Sequence, residues 1–196
     1  MGMKIGVLAL QGAFIEHISI MQQLGATASP VRLPGELDGL DGLIIPGGES
    51  TSILNLMHSF NLVQLLKELV QAGLPVLGTC AGMVCLAKRV SNSGNSSMET
   101  LSLMDMEVRR NAFGRQVDSF ETGLVVPALG QESFPGIFIR APIIERASPQ
   151  VEVLAKLPDG TAVAARQGKL VVTAFHPELS TDLRFHRYFL KIAASQ

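Results

Sequence analysis

A chain of 196 residues with a formal net charge of −1 has room for one well-buried core, little room for a second domain, and no bulk attraction for nucleic acid. Hydrophobic residues make up 47% of it, yet they fall in short pieces broken by glycine, proline or charge, and none approaches the roughly 18 residues of a membrane helix. The cysteines are Cys80 and Cys85, which on a helix would stand about 7.5 Å apart along the axis, beyond disulfide reach; a reducing, cytoplasmic setting is expected.

Lys4–Leu10 superficially resembles the start of a signal peptide, but Gln11-Gly12 stops the apolar run early and it reads as a first strand covered on both faces. Phe14, Ile15, Ile18, Met21 and Leu24 then recur at helical spacing up to Gly25. A strand is expected over Ala28–Leu33 and another over Gly42–Ile45, the latter ending at Pro46-Gly47-Gly48-Glu49-Ser50-Thr51. Helical spacing returns at Ile53, Leu54 and Met57 and at Leu62, Leu65, Leu66, Leu69 and Val70. The apolar run before Gly78 is a further strand, and a helix begins past Cys80. Strands alternating with helices imply a parallel sheet with functional loops at its carboxyl edge.

After Val90 the pattern changes. Residues 91–97 form a polar stretch that reads as a surface loop. Strands are expected at Leu103–Val108, Gly123–Val126, Gly136–Ile139, Val151–Leu157, Ala162–Arg166 and Leu170–Phe175, with hairpin turns at Pro158-Asp159-Gly160 and Gln167-Gly168-Lys169. Leu183–Ala194 closes the chain as a helix. With no repeat and no linker, the expectation is one α/β domain: a mostly parallel central sheet flanked by helices, with antiparallel strands added in the C-terminal half.

Three segments carry chemistry. Gly78-Thr79-Cys80-Ala81-Gly82, between strand and helix, is the thiol counterpart of a nucleophile elbow: the turn lifts the side chain clear of the sheet, the glycines admit neighbouring backbone, and the helix start favours thiolate. His176-Pro177-Glu178 follows the last strand. In extended backbone residues two apart share a side, so Glu178 can orient His176, although the same tripeptide also suits a surface turn. At Pro46–Ser50 the paired glycines let the Gly48 N–H, with that of Ala81, face an oxyanion; a plain structural turn is the alternative, and without a P-loop lysine a nucleotide site is not expected.

The elbow, Gly47-Gly48-Glu49-Ser50-Thr51 and His176-Pro177-Glu178 together resemble the class I, triad-type glutamine amidotransferases, whose fold is flavodoxin-like. Leu10-Gln11-Gly12, Arg110-Asn111-Ala112-Phe113-Gly114-Arg115-Gln116 and Phe138-Ile139-Arg140-Ala141-Pro142 narrow the resemblance to the glutaminase subunits of two-component pyridoxal 5′-phosphate synthases. It runs nearly end to end. Where many class I members carry a glutamine after the elbow, this chain has Met83-Val84.

The resemblance implies glutamine hydrolysis with Cys80 as nucleophile, His176 as acid and base, Glu178 as orienter, and Gly48 and Ala81 as oxyanion donors. It implies that L-glutamine binds at Gly48, Glu49, Ser50, Arg110, Ile139 and Arg140. It also implies a (β/α)8-barrel synthase subunit as partner in a hetero-oligomer, to which ammonia passes directly, and an isolated chain nearly inactive until docking orders Gly47-Gly48. No cofactor, metal, nucleic acid or membrane is called for. Without the resemblance, Arg110 and Arg140 read as surface salt bridges, and the elbow could serve a cysteine peptidase, a thiol stress protein or a glutamine-binding regulator. His17, His58 and His186 read as exposed, Cys85 as buried and small, and Met83, Met98, Met104 and Met106 as packing.

Overall fold

The computed structural model describes residues 2–91, 98–113 and 119–195. The polar stretch 92–97 and residues 114–116 of the Arg110 motif lie outside them. Five strands lie parallel in the order β2-β1-β3-β4-β12: β1 (Lys4–Leu8), β2 (Thr27–Val31), β3 (Gly42–Ile45), β4 (Val76–Thr79) and β12 (Leu170–Thr173). Every residue of β3, β4 and β12 is buried, the signature of strands sandwiched between helical layers. The helices covering them are α1 (Phe14–Gln23), α2 (Ser50–Ser59), α3 (Leu62–Gln71), α4 (Ala81–Leu86) and α5 (Arg184–Ala194).

Beyond β12 the sheet turns antiparallel through β11 (Ala162–Gln167), β9 (Ile143–Ala147) and β6 (Met104–Arg109), and ends in β5 (Ala87–Ser91), parallel to β6. Strand β10 (Glu152–Lys156) pairs with β11 beside this path, so both expected hairpin turns join antiparallel neighbours. In β6 burial alternates, with Met104, Met106 and Val108 inward, as a sheet covered on one face requires.

Two strands went unanticipated. Strand β5 follows α4 with no turn residue between, and its Lys88 and Arg89 suit an edge; β9 has large apolar side chains only at Ile143 and Ile144. The strand expected at Gly123–Val126 is Ser119–Leu124 (β7), paired with β8 (Phe134–Ile139) as a separate hairpin. An aromatic cluster anchors that hairpin: Phe134 and Phe138 pack on Phe175 at 5.7 Å between centroids, and Phe175 meets Phe185 of α5 edge-on at 5.5 Å. Such pairs contribute about 0.5–1.5 kcal/mol each beyond area burial. Here they fix β8 directly beside His176, whose backbone N–H donates to Ile137 O at 2.8 Å. Among the described residues no helix is long and apolar enough to cross a membrane.

Candidate active site

The loops that follow β1, β3, β4 and β12 leave the same carboxyl edge of adjacent parallel strands, and they carry Gln11, Gly47 to Glu49, Cys80 and His176 to Glu178. Cys80 follows β4 directly and caps α4 with φ 49° and ψ −102°, a strained conformation for a residue with a side chain. Its backbone is gripped on both sides: the N–H donates to Thr173 O of β12 at 2.7 Å, and the carbonyl accepts from Met83 and Val84. The close packing explains the flanking glycines. A Cβ on Gly82 would stand 2.0 Å from Ile45 O, and one on Gly78 2.8 Å from the Gly82 backbone. The sulfur projects free of this contact, 3.9 Å from Ile139 O of β8.

His176 Nδ1 donates to Glu178 Oε1 at 2.7 Å, with the Glu178 side chain fully buried. The pair forms through a turn rather than the extended geometry expected from sequence, because Pro177–Leu179 is a 3-10 turn that folds Glu178 back under the ring. Burial opposes charge on His176, but hydrogen bonds to Cys80 and Glu178 and the negative charge of Glu178 outweigh it and raise the ring's pKa to about 10. Gly47 closes the other side. A Cβ there would lie 2.4 Å from His176 Cε1 and 3.4 Å from Cys80 Cβ, so the ring and the thiol-bearing carbon both flank the Gly47 backbone.

The β1–α1 loop holds the glycine loop in place. Glu49 N–H donates to Gln11 Oε1 at 2.7 Å, and Ala13 N–H to Gly47 O at 3.3 Å. Gly12, at φ 102°, admits this approach, since a Cβ would fall 1.7 Å from Gly47 O. Gly48 is exposed next to the Gln11 amide, and Ala81 is the first residue of α4, where no intrahelical partner exists for its N–H.

Glu49 caps α2 through the N–H groups of Thr51 and Ser52. Burial works against its charge, yet these bonds lower its pKa to about 2. Arg110 Nη2 reaches Glu49 Oε1 at 2.8 Å and its Nη1 reaches Thr51 Oγ1 at 3.2 Å, so the salt bridge read from sequence alone is present at Arg110. A cavity of about 610 Å³ opens beside this pair, walled by Thr51, Leu54, His58, Met98 and Arg110; Cys80 and His176 do not line it. Ser50 is buried at the start of α2. Ile139 is brought to the sulfur. Arg140 is exposed at φ 43° and has no ion pair among the described residues.

The residues 7–195 match the SNO glutamine amidotransferase family profile. The chain belongs to the SNO glutamine amidotransferase family. Among SNO-type relatives, it is 61% identical to a Dehalococcoides mccartyi protein over 97% of each chain and 55% identical to one from Herpetosiphon aurantiacus over 96% of this chain and 99% of that one. Both carry the name pyridoxal 5′-phosphate synthase subunit PdxT. A crystal structure of a glutamine amidotransferase superimposes with a TM-score of 0.90 at 46% identity, covering 96% of this chain and 98% of that one.

In this SNO-family chain two histidines depart from their sequence reading. His17 and His186 are wholly buried, whereas His58 is exposed as expected. On α1 the buried stripe includes His17, Ile20 and Met21, while Ile15 is two-thirds exposed. His186 lies on the buried face of α5 with Phe185 and Phe189. Position 17 falls at i+3 from Phe14 and i−4 from Met21, a helical signal for burial that its polarity masked. Gln11 and Thr79 stand in the sequence only as parts of motifs, and nothing in their spacing marks a role. Cys85, Met83, Met104 and Met106 are buried as expected.

Proposed function

We propose that this chain is the glutaminase subunit of a pyridoxal 5′-phosphate synthase, hydrolysing L-glutamine to L-glutamate and ammonia through a thioester on Cys80. The carrying observation is that Cys80 and His176 both flank the Gly47 backbone at one strand edge and are hydrogen-bonded, with Glu178 bonded behind the ring. The names of its close relatives support the pathway assignment.

Cys80 Sγ attacks the side-chain amide carbon while His176 holds the thiol's proton. Amide N–H groups of Gly48 and Ala81 receive the oxyanion. Collapse expels ammonia as His176 gives its proton to the leaving nitrogen, and Sγ remains acylated. Water, deprotonated by the same ring, then adds to the thioester; breakage of the C–S bond returns the proton to sulfur and frees glutamate. One glutamine and one water give one glutamate and one ammonia. Glu49, Ser50, Arg110, Ile139 and Arg140 surround the incoming amino acid. Because Glu49 already occupies part of Arg110, substrate must share or displace that pair.

Ammonia released to bulk water would be protonated and lost as a nucleophile, so the product passes directly to a synthase subunit of (β/α)8-barrel fold in the cytoplasm. Docking against it orders the Gly47-Gly48 amides for the oxyanion, and the isolated chain is nearly inactive. Two measurements test this: glutamate release from glutamine with and without the synthase subunit, and peptide mapping after reaction with a diazo-ketone glutamine analogue. Partner-dependent release that vanishes in Cys80→Ala, with label on Cys80, is expected. Label confined to Cys85, or no release with the partner present, overturns the reading.

A further inference from the structure

The catalytic pairing uses one oxygen of Glu178; the other faces inward. Oε2 is buried with no hydrogen-bond partner among the described residues and lies 3.4 Å from His17 Nε2. That nitrogen is also 3.3 Å from Thr79 Oγ1, and His17 Nδ1 stands 3.0 Å from His186 Nε2. The two rings are tilted by 51°. From Cys80 inward, through His176, Glu178, His17 and His186, runs a continuous line of polar groups supplied by β4, the turn after β12, α1 and α5. Burying so many polar groups in an apolar core is unfavourable unless they are paired, so the line requires a reason beyond packing.

Chemistry at both ends fixes its polarity. A bare ring nitrogen facing a carboxylate oxygen repels it, while an N–H attracts it, so His17 Nε2 carries the hydrogen. His17 stays neutral, because burial, and then the charges of His186 and His176, lower its pKa well below the ordinary value. Its Nδ1 is therefore bare and accepts from His186 Nε2–H. His186, with its pKa lowered by burial, is left with a bare Nδ1, and that is the ring nitrogen without a partner in the structure. The opposite polarity would leave a buried donor unpaired at His186 and set two lone pairs against each other at Glu178.

We propose that His17 and His186 are positioning residues for the Cys80–His176–Glu178 site: His186 fixes the tautomer of His17, and His17 presents its Nε2–H to Glu178 Oε2, holding the carboxylate against rotation away from His176. The kinetic half of the test rests on the glutaminase reading; the spectroscopic half does not.

His17→Leu removes the donor, whereas His17→Gln keeps an amide nitrogen where Nε2 stood. With the synthase subunit present, His17→Leu should lower kcat on the order of tenfold or more while KM for glutamine stays within about threefold, and His17→Gln should recover most of the loss. Nitrogen-15 histidine NMR of the parent should give the neutral Nε2–H tautomer for both His17 and His186 at neutral pH. An Nδ1–H tautomer at either ring, or His17→Leu as active as the parent, or both variants equally impaired, overturns the proposal. If neither variant folds, the tautomers decide it alone. If the parent releases no glutamate while both tautomers are as stated, the glutaminase reading fails and the positioning geometry stands.

Discussion

His176 and His17 flank the same carboxylate and are driven in opposite directions. The outer ring meets a thiol and the nearer Glu178 oxygen, and these raise its pKa to about 10 despite partial burial. The inner ring is sealed among α1, β4 and α5, beside a second imidazole, and its pKa falls well below the ordinary value. Proximity to an anion does not by itself decide a histidine's charge. What decides is whether hydrogen bonding outweighs lost hydration, and at 3.4 Å the inner contact is too long to do so. One side of Glu178 is thus fitted for moving protons and the other for holding them still.

The sharpest way to break this contrast is Glu178→Gln. Its amide can present N–H to His176 and favour the wrong tautomer, so kcat should fall by roughly 10³–10⁴ with the fold retained, read as glutamate release by the complex. Gly47→Ala acts on the outer side alone: the added methyl meets the His176 ring and should displace it, lowering kcat on the order of a hundredfold. Wild-type-like rates in that variant would mean that the ring has slack.

The inner side is read through stability. Burial lowers the pKa of His186 to about 4, below its unfolded value, so the unfolded chain binds the extra proton and stability is lost as pH falls from about 6.5 towards 4. Between pH 7 and pH 5 this amounts to a loss on the order of 2 kcal/mol, visible as a lower urea midpoint, and His186→Gln should show a flatter profile. His176 has the reverse sign: its contribution is full below about pH 6.5 and fades as pH rises towards 10. The smallest effect is expected at the proposed substrate rim, where Arg110→Gln should raise KM several-fold with kcat within about twofold.

Much of this arrangement was legible in the sequence because it is written in local terms. Gly42–Ile45 is an unbroken apolar run with glycines behind it, and it is β3 to the residue. The elbow and the His-Pro-Glu tripeptide mark strand ends by their own chemistry. What stayed hidden depends on distant partners. The spacing put Ile15 on the α1 stripe and left His17 off it, because only the meeting of α1 and α5 behind Glu178 makes burial of an imidazole tolerable. Strand β5 was invisible for a similar reason: its few polar residues become a strand only because β6 lies alongside.

The backbone posture of Cys80 has a consequence for the molecule without its sulfur. A left-handed φ with ψ near −100° suits glycine far better than any residue with a β-carbon, so the fold carries, at its proposed nucleophile, a conformation it would shed if allowed. Of two inert proteins, Cys80→Gly should therefore melt above Cys80→Ala, by about 1 kcal/mol in stability. Reactivity at this site and ease of folding pull the choice of residue in opposite directions.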